Sequence, residues 1–541
     1  MKFTSLFLAA GLAFGSSGAL AQRGVAEDIR QLLSQDNLAV NGVEILAQDV
    51  IEHVYRDHGY EPYWTDPRYI RELMQLIAGA ADHGLNPADY NFEQLREIQQ
   101  RHQQSPSAEI AAEADIMLTE SLLRYGYHRR YGKANPAKID PDINFRRETF
   151  RQQPPAQTME EILAADSLQG FIELAAPSGP YYQRVQYWLK AYRQMAAQGG
   201  WPQVSEGATL RLDDSGPRVT QIRARLAASG DLPAGKDTRS PRFDEELKAA
   251  VKLFQERHSL DADGIVGKQT IATMNVPIAQ RIDQLRVSLE RLRWVNQEAA
   301  DTLVAVNIAG YKAFFYKEGE LQWTTRAMVG KTYRRTPVFR GDIQYMEFNP
   351  TWTIPPGILR NDTLPAIKRD PNYLASKNIR VINRNGKFVD PATVNWDQYT
   401  KGVPYTLRQD PGPNNSLGTV KFIFPNKHFV FLHDTPHREL FDRPERAFSS
   451  GCIRVEDPLT LAELLLDEPG YKRSELEAVV ASRETQRISL EKPIPVIIIY
   501  LTASVDGDGN VLFYRDVYSR DQRVLNVLDG AVIIDPPATG H

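Results

Sequence analysis

The sequence predicts a multidomain α+β protein with a helical N-terminal region, a small three-helix domain and a C-terminal, mostly-β domain. The chain has 541 residues, which at ~150 residues per domain indicates about three to four domains. Apolar residues recur at helical spacing up to Trp294, and β-rich runs replace that pattern from Thr302 onward. Hydrophobic residues make up 42% of the chain and charged residues 24%, which excludes a wholly disordered chain and a polytopic membrane protein.

The first segment, residues 1–21, has the three-part order of a secretory signal peptide. Lys2 supplies the positive charge, Phe3 to Phe14 is mostly apolar, and Ala19-Leu20-Ala21 places small residues where a signal peptidase reads them. The apolar run is shorter than the ~20 residues that span a bilayer, and no later stretch reaches ~18 uninterrupted apolar residues. We therefore expect an exported, soluble mature chain without a transmembrane segment.

The helical parts follow in three units. Residues 26–200 are predicted to be helical, with partly loop structure between 154 and 179; one helix face carries Ile70, Leu73, Leu76 and Ile77. After a boundary at Gly199–Pro202, a compact unit of three helices covers 207–277. Its two main apolar stripes are Val219, Ile222 and Leu226, and Phe243, Leu247, Val251 and Phe254. A connecting helix is predicted over 278–300.

The mostly-β domain is predicted over 301–520, followed by a C-terminal tail, 521–541. Leu303–Ile308 and Phe429–Leu432 have strand composition, and Lys317-Glu318-Gly319-Glu320 is typical of a hairpin turn. The apolar run 496–504 and the turn 506–510 predict a second hairpin into Val511–Tyr514. A helix is expected through 459–466.

Composition excludes some classes of function. Lys and Arg number 64 against 68 Asp and Glu, so the net charge is −4, and no long basic run indicates nucleic-acid binding. The Asp-rich turns at 261–264 and 506–510 lack the later Gly and Glu of a calcium loop. Cys452 is the one cysteine, so no intramolecular disulfide can form and its chemistry needs no thiol partner.

The residues with chemical potential lie between 431 and 458. His433 ends a predicted strand, and Cys452 follows 19 residues later, after Ser449-Ser450-Gly451. A free thiol is only a few per cent ionised at pH 7, and a nearby imidazole can take its proton. Gly451 permits a sharp turn that leaves backbone N–H groups free to face an oxyanion. In an extended segment, Arg454 points to the same side as Cys452.

These residues also fit a structural interpretation. A single Cys is more often a buried small hydrophobe, and a single His after a strand is more often a satisfied structural residue. Arg454 could lower the thiol pKa or hold a substrate carboxylate. Spacing alone leaves catalysis and packing both open.

The segment resembles the signature of the L,D-transpeptidases, the YkuD-type catalytic domain. The matching residues are His433, Ser449, Ser450, Gly451, Cys452, Ile453 and Arg454. Ser450 stands where the family often has a second His, and Arg454 where it often has Asn. Residues 207–277 resemble the peptidoglycan-binding type 1 domain, through Asp-Ser-Gly-Pro-Arg-Val at 214–219 and Asp-Gly-Ile-Val-Gly-Lys-Gln-Thr-Ile at 263–271; a purely structural spacer is the alternative. The order of domains is similar to the large periplasmic branch, whose N-terminal region is a helical scaffold domain.

The resemblance implies an enzyme of peptidoglycan biosynthesis and cell-shape maintenance in the periplasm. Cys452 would be the nucleophile, His433 the general base, the Asp434 backbone carbonyl its orienting group, and the N–H groups of Gly451 and Cys452 the oxyanion hole. Cys452 would form a thioester with the diaminopimelate of a tetrapeptide stem, release D-alanine and pass the acyl group to another stem as a 3→3 link. No metal or organic cofactor is implied. The residues assigned to substrate binding are Arg454, Ser450 and, in a capping insertion at about 350–420, Trp352 and Tyr405.

The acceptor stays open. Water would make the protein an L,D-carboxypeptidase, and a protein lysine would make it a wall-anchoring enzyme. A non-catalytic wall-binding scaffold is a third interpretation, against which the intact Cys452 and His433 argue. Papain- and caspase-type proteases separate His and Cys more widely along the chain than the 19 residues found here. Other cell-wall synthesis enzymes are further candidate partners.

Overall fold

The computed structural model describes residues 19–150 and 155–534 of the chain. The predicted signal peptide, 1–21, lies outside these residues except for its last three positions, which begin the first helix. The part of the predicted tail after 534 also lies outside them. Across the described residues, no helix combines the length and the apolar character that a membrane crossing requires.

The N-terminal region packs helices around one long central helix. That central helix, Ala108–Tyr131, begins at Ser107, whose side chain accepts a hydrogen bond from the Ile110 N–H. Pro67–Ala78 buries Ile70, Leu73 and Ile77, which confirms the predicted apolar face. The elements in order are α1 (Ala19–Leu33), β1 (Ala39–Val40), β2 (Val43–Glu44), α2 (Gln48–Asp57), α3 (Pro67–Ala78), α4 (Phe92–Gln104), α5 (Ala108–Tyr131), α6 (Pro136–Ile139), α7 (Pro155–Ala164), α8 (Leu168–Ala175) and α9 (Pro180–Ala197).

The small domain has its own apolar core, as the sequence predicts. Its helices are α10 (Pro217–Ala228), α11 (Glu245–Arg257) and α12 (Lys268–Met274), and the residues of both predicted stripes are buried in one cluster. Arg257 attaches this domain to the C-terminal domain, because its Nε donates to the Val511 carbonyl at 3.0 Å, while its Nη1 donates within the small domain to Asp231 at 2.6 Å. The connecting helix α13 (Ile278–Val295) packs against α9.

The C-terminal domain is built on a nine-stranded sheet. Its elements are β3 (Leu303–Asn307), β4 (Lys312–Lys317), β5 (Glu320–Gly330), β6 (Phe339–Phe348), β7 (Trp352–Thr353), α14 (Pro356–Ile358), α15 (Leu364–Arg369), α16 (Tyr373–Ser376), β8 (Ile379–Ile382), β9 (Phe388–Val389), β10 (Thr406–Gln409), β11 (Val420–Ile423), β12 (Leu432–His433), β13 (Ala447–Ser449), β14 (Ile453–Val455), α17 (Pro458–Leu466), α18 (Arg473–Ala481), β15 (Gln486–Ile499), β16 (Ala503–Val505), β17 (Val511–Phe513) and α19 (Asp521–Asp529).

The strand order is β13-β5-β14-β12-β11-β6-β15-β3-β4, and β4 also pairs with β5. This extra pairing closes the sheet into a barrel, which leaves β13 attached alongside β5. The predicted turn at 317–320 joins β4 and β5, and the second predicted hairpin is β16 and β17. Closure matters for the site because it fixes the register of the strands that carry the chemistry.

An insertion between β6 and β11 forms a second, smaller layer. Its four strands run in the order β7-β10-β8-β9, and its apolar residues form a cluster separate from the barrel core. The two ends of the insertion stay close, because the Asn415 side chain donates to the Pro350 carbonyl at 3.0 Å. The insertion is thus a compact subdomain, at the place where the sequence analysis expects a cap.

Two local expectations are wrong. The predicted strand 429–432 is reduced to Leu432 and His433, because the side chain of Asn426 accepts from the N–H groups of His428 and Val430 and bends the chain into a turn. Phe429 there has a φ of 54° and is 83% exposed.

The predicted tail begins with a helix of the core. In α19, Val524 and Leu528 are buried, and Asp521 forms an ion pair with Arg291 of α13 at 2.5 Å. The apolar residues of this helix are spaced for one face, and α13 offers the surface that covers it.

Candidate active site

Strand register places five charged or titratable side chains in one row. His433 on β12 pairs with Arg454 on β14 and with Lys421 on β11, Lys421 pairs with Glu347 on β6, and Glu347 pairs with Arg487 on β15. Directly paired residues share a face of the sheet, so these side chains project to the same side. Cys452 immediately precedes β14, two residues before Arg454, and by alternation lies on that side as well. The register of β12 and β14 therefore places Cys452 and His433 on one face of the sheet.

The backbone beside Cys452 is fixed by hydrogen bonds. Gly451 has a φ of +121°, a region that favours glycine, so the turn requires this residue type. Its N–H donates to the Ser449 hydroxyl at 3.1 Å, and its carbonyl accepts from Thr336 Oγ1 at 2.8 Å. Ser449 Oγ donates to the Cys452 carbonyl at 2.5 Å. The Gly451 N–H, assigned to an oxyanion hole by the sequence, is thus occupied by Ser449 in this structure.

His433 is held in one orientation by a backbone carbonyl. Its side chain is buried, with 4% exposure for the residue, and Nδ1 lies 2.5 Å from the Asp434 carbonyl oxygen. A carbonyl only accepts, so Nδ1 carries the proton and Nε2 is the basic nitrogen. The Asp434 carboxylate is engaged elsewhere, with Thr419 and Arg438.

Gly418 explains how Asp434 can occupy its position. Its φ is +64°, and a Cβ on it would lie 2.4 Å from the Asp434 side chain. Any larger residue would push against the segment that orients His433. The Leu417-Gly418 motif noted in the sequence therefore supports the site from behind.

Both members of the Cys–His pair are neutral at pH 7. Burial and the charges of Arg454 and Lys421 lower the pKa of His433 to about 3, against the opposing effect of hydrogen bonds to the backbone of Asp434 and Leu417. Burial raises the pKa of the Cys452 thiol, against the opposing effects of a Phe431 backbone hydrogen bond and of the Lys421 and Arg454 charges. The Cys452 Sγ donates to the Phe429 carbonyl at 3.7 Å. The resting site is a thiol beside a neutral imidazole, not an ion pair.

Of the other site residues predicted from the sequence, one lies in the charged row and three lie outside it. Arg454 is half-buried in the row, and within the described residues its Nε has no hydrogen-bond partner. Ser450 is exposed, and its Oγ accepts from Arg334 Nη1 at 2.9 Å. Trp352 and Tyr405 pack against the apolar cluster of the insertion. The row of charged residues thus includes Arg454 and excludes both aromatic residues.

Three nearby residues have no role in the sequence analysis. Lys421 and Glu347 belong to the row, and Arg334 bridges Ser450 to Asp362 of the insertion, at 2.6 Å from its carboxylate. The available signal was alternation: each of Lys421 and Glu347 is a charged residue between apolar neighbours of a strand. No cluster of three or more His, Cys, Asp or Glu side chains placed to hold a metal ion occurs within the described ranges.

Three family models match separate parts of the chain. Residues 49–189 match a "Scaffold domain", residues 215–274 a "Putative peptidoglycan binding domain" and residues 301–495 the "L,D-transpeptidase catalytic domain". The last match contains the barrel strands of the site, the insertion, Cys452 and His433. The three matches follow the three units of the fold.

Relatives carry related names. A "Putative L,D-transpeptidase" of Haemophilus influenzae is 35% identical over 278 residues, which are 50% of this chain and 56% of the relative. The "N-acetylmuramoyl-L-alanine amidase CwlM" of Mycobacterium tuberculosis is 40% identical over 76 residues, 13% of this chain and 19% of the relative. The chain thus spans about half of the first relative and about a fifth of the second.

The crystal structure of an L,D-transpeptidase of Stackebrandtia nassauensis is 14% identical to this chain. The match covers 55% of this chain and 96% of that one, and its TM-score of 0.21 is too low for a structural comparison. The family model over residues 301–495 is the one whose match includes Cys452 and His433. This part of the chain therefore matches the L,D-transpeptidase catalytic domain, and the same polypeptide also matches a scaffold domain and a peptidoglycan-binding domain.

Proposed function

We propose that this protein is a periplasmic L,D-transpeptidase that makes 3→3 cross-links between peptidoglycan stem peptides. One observation carries the proposal: the register of β12 and β14 puts Cys452, the residue before β14, on the face that carries His433, whose Nδ1 is held by the Asp434 carbonyl so that Nε2 is the base. The peptidoglycan-binding domain supports the same substrate class. The signal-peptide pattern of residues 1–21 supports export.

Acylation begins with transfer of the Cys452 proton to His433 Nε2. Sγ then forms a bond to the carbonyl carbon of the diaminopimelate at position three of a tetrapeptide stem. The tetrahedral oxyanion receives hydrogen bonds from the Cys452 N–H and from the Gly451 N–H, which exchanges Ser449 for this acceptor. When the C–N bond breaks, His433 returns its proton to the leaving amine, and D-alanine departs.

Transfer completes the cycle. The side-chain amine of a second stem attacks the thioester carbonyl and loses a proton to His433, and the C–S bond breaks. The thiolate that leaves is reprotonated from His433. Arg454 binds a stem carboxylate or stabilises this thiolate, Ser450 lies at the rim of the site, and the insertion with Trp352 and Tyr405 covers the bound stem.

The test is incubation of the mature protein with purified tetrapeptide muropeptides, followed by intact-mass and product analysis. Cys452→Ala is the control that removes the nucleophile. We expect an acyl-enzyme, D-alanine and 3→3 dimers from the wild type only. Tripeptide monomers without dimers would establish the carboxypeptidase, transfer to an added lysine peptide would establish the anchoring enzyme, and absence of both acyl-enzyme and product would leave a wall-binding scaffold.

A further inference from the structure

Lys421 is a charged residue beside the Cys–His pair that the transpeptidase reaction described above does not use. It stands directly opposite His433 across β11 and β12, and opposite Glu347 across β6 and β11. Side chains of directly opposite residues start about 5 Å apart, so Lys421 and His433 leave the sheet side by side, and the charge of Lys421 lowers the pKa of His433. Its position in the row is set by strand register, which the closed barrel fixes.

The ammonium is also located by an aromatic ring. Lys421 Nζ lies 3.9 Å from the ring centroid of Phe431, a cation–π distance. Phe431 is next to Cys452 across the strands, because its carbonyl accepts from the Ile453 N–H at 3.0 Å. The positive charge is therefore held on the Cys452 side of His433 by a group that does not neutralise it.

We propose that Lys421 is a positioning residue of this site, whose ammonium favours the thiolate of Cys452 and keeps His433 unprotonated between turnovers. The proposal rests on the proposed role of Cys452 as nucleophile. Glu347 stands next to Lys421 in the row and its charge favours the ammonium form, and the ring of Phe431 lies within cation–π distance of the ammonium. Lys421 thus acts through Cys452 and His433 and does not itself bond to substrate.

The charges around the pair all have to be counted. They are Arg454 on β14, Lys421 on β11, Glu347 on β6, Arg487 opposite Glu347 on β15, Arg334 in the loop after β5 with its partner Asp362, and Asp434, whose carboxylate faces Thr419 and Arg438. Lys421 and Arg454 are the two cations that lower the pKa of both the thiol and the imidazole. Removing one of them raises both pKa values, so less thiolate exists at a given pH.

The experiment measures the rate at which iodoacetamide alkylates the one cysteine of the folded, full-length mature protein between pH 6 and 10. Lys421→Met is expected to raise the apparent pKa of alkylation by about 0.5 to 1 unit, because one nearby charge is lost. Lys421→Arg is expected to retain the wild-type profile. Lys427→Met is the matched control, because Lys427 lies in the turn after β11 and is paired with Asp142 on another surface.

Identical profiles for wild type and Lys421→Met would overturn the proposal. A shift of equal size in Lys421→Arg would also overturn it, since the shape of the side chain and not its charge would then matter. Melting temperatures check that each variant is folded. If Lys421→Met does not fold, Lys421→Gln serves as the second neutral variant.

This readout is separate from the proposed function. Alkylation needs no muropeptide, so a shifted profile without cross-linked products would retain the role of Lys421 and reject the transpeptidase. Cross-linked products together with an unshifted alkylation profile would support the transpeptidase and reject the role of Lys421. Where both hold, acylation by the tetrapeptide in Lys421→Met is reduced several-fold at pH 7, and the difference from wild type narrows only as the pH approaches the raised pKa of the thiol.

Discussion

The barrel and its insertion differ in how they are stabilised. Strand β15 has 14 residues and β6 has 10, and the barrel core includes fully buried residues such as Ile343, Val496 and Ile498. No strand of the insertion exceeds four residues, and its apolar cluster is small. Long paired strands order their side chains cooperatively, whereas short strands over a small core open locally at lower free energy.

The difference separates two proposed roles. The barrel holds Cys452 and His433, so the proposed proton chemistry depends on the more stable region. The insertion contacts this region through the ion pair of Asp362 with Arg334, which also touches Ser450. A substrate-covering element must open and close, and a small, separately packed subdomain can do this without disturbing the barrel.

The strongest test of this comparison removes the insertion. Replacing residues 351–416 by a short Gly-Asn linker leaves Gly418 in place and joins two ends that already touch through Asn415 and Pro350. We expect the barrel to stay folded and alkylation of Cys452 to continue, while acylation by a tetrapeptide falls at least tenfold, because substrate contacts are lost. Circular dichroism measures whether the barrel is folded, alkylation measures the reactivity of Cys452, and intact mass measures acylation. Unchanged acylation would show that the insertion has no part in substrate binding.

The next largest effects are expected from truncating one buried residue in each region. Ile498→Ala in the barrel should lower the free energy of unfolding by about 3 kcal/mol. Leu407→Ala, equally buried in the insertion, should speed hydrogen exchange across 350–418 and leave the barrel strands protected. Urea denaturation and peptide-resolved exchange provide the measurements. Equal loss of protection in both regions for Leu407→Ala would contradict independent packing.

The third prediction concerns acid. His433 has a pKa of about 3 in the folded protein and about 6.5 when unfolded, so the unfolded chain takes up the proton first as pH falls. The stability that neutral His433 supports is complete above pH 6.5 and declines by about 1.4 kcal/mol per unit below it. From pH 7 to pH 5, the free energy of unfolding of His433→Asn should therefore fall by about 2 kcal/mol less than that of the wild type. Urea titrations at each pH measure it. His83, His128 and His258 are present in both the wild type and His433→Asn, so their contributions to the pH dependence cancel in the comparison.

The smallest expected effect concerns the link between the two regions. Arg334→Ala removes the ion pair with Asp362, whose carboxylate is half-exposed, so the unfolding free energy should change by about 0–1 kcal/mol. Limited proteolysis within 350–418 should nevertheless accelerate, because the insertion opens more often. Arg360→Ala in the same subdomain is the control. Unaltered cleavage in Arg334→Ala would mean that the ion pair does not hold the insertion.

Local signals are enough for most helical parts of the fold. The three-helix domain is predictable with its buried residues, from Val219 to Phe254, because one helix face against one small core leaves a clear periodicity. The β4–β5 turn is predictable because the backbone geometry of a tight turn selects its residues. Phe429 fits a strand prediction because it is apolar, but Asn426 decides that the chain turns there. Helix α19 lies in the predicted tail, because the surface that covers it is on α13, far along the chain.

The sequence by itself determined the candidate pair. The resemblance to the L,D-transpeptidase signature points to Cys452 and His433, and the turn at Gly451 and the carbonyl of Asp434 are sequence neighbours of the groups they position. Only the tertiary structure decided which charges face that pair. Glu347, Lys421 and Arg454 are distant in sequence and meet through the register of four strands, and a shift of one residue would send each side chain to the other face. Register is set by the closure and packing of the whole barrel, which no single segment specifies.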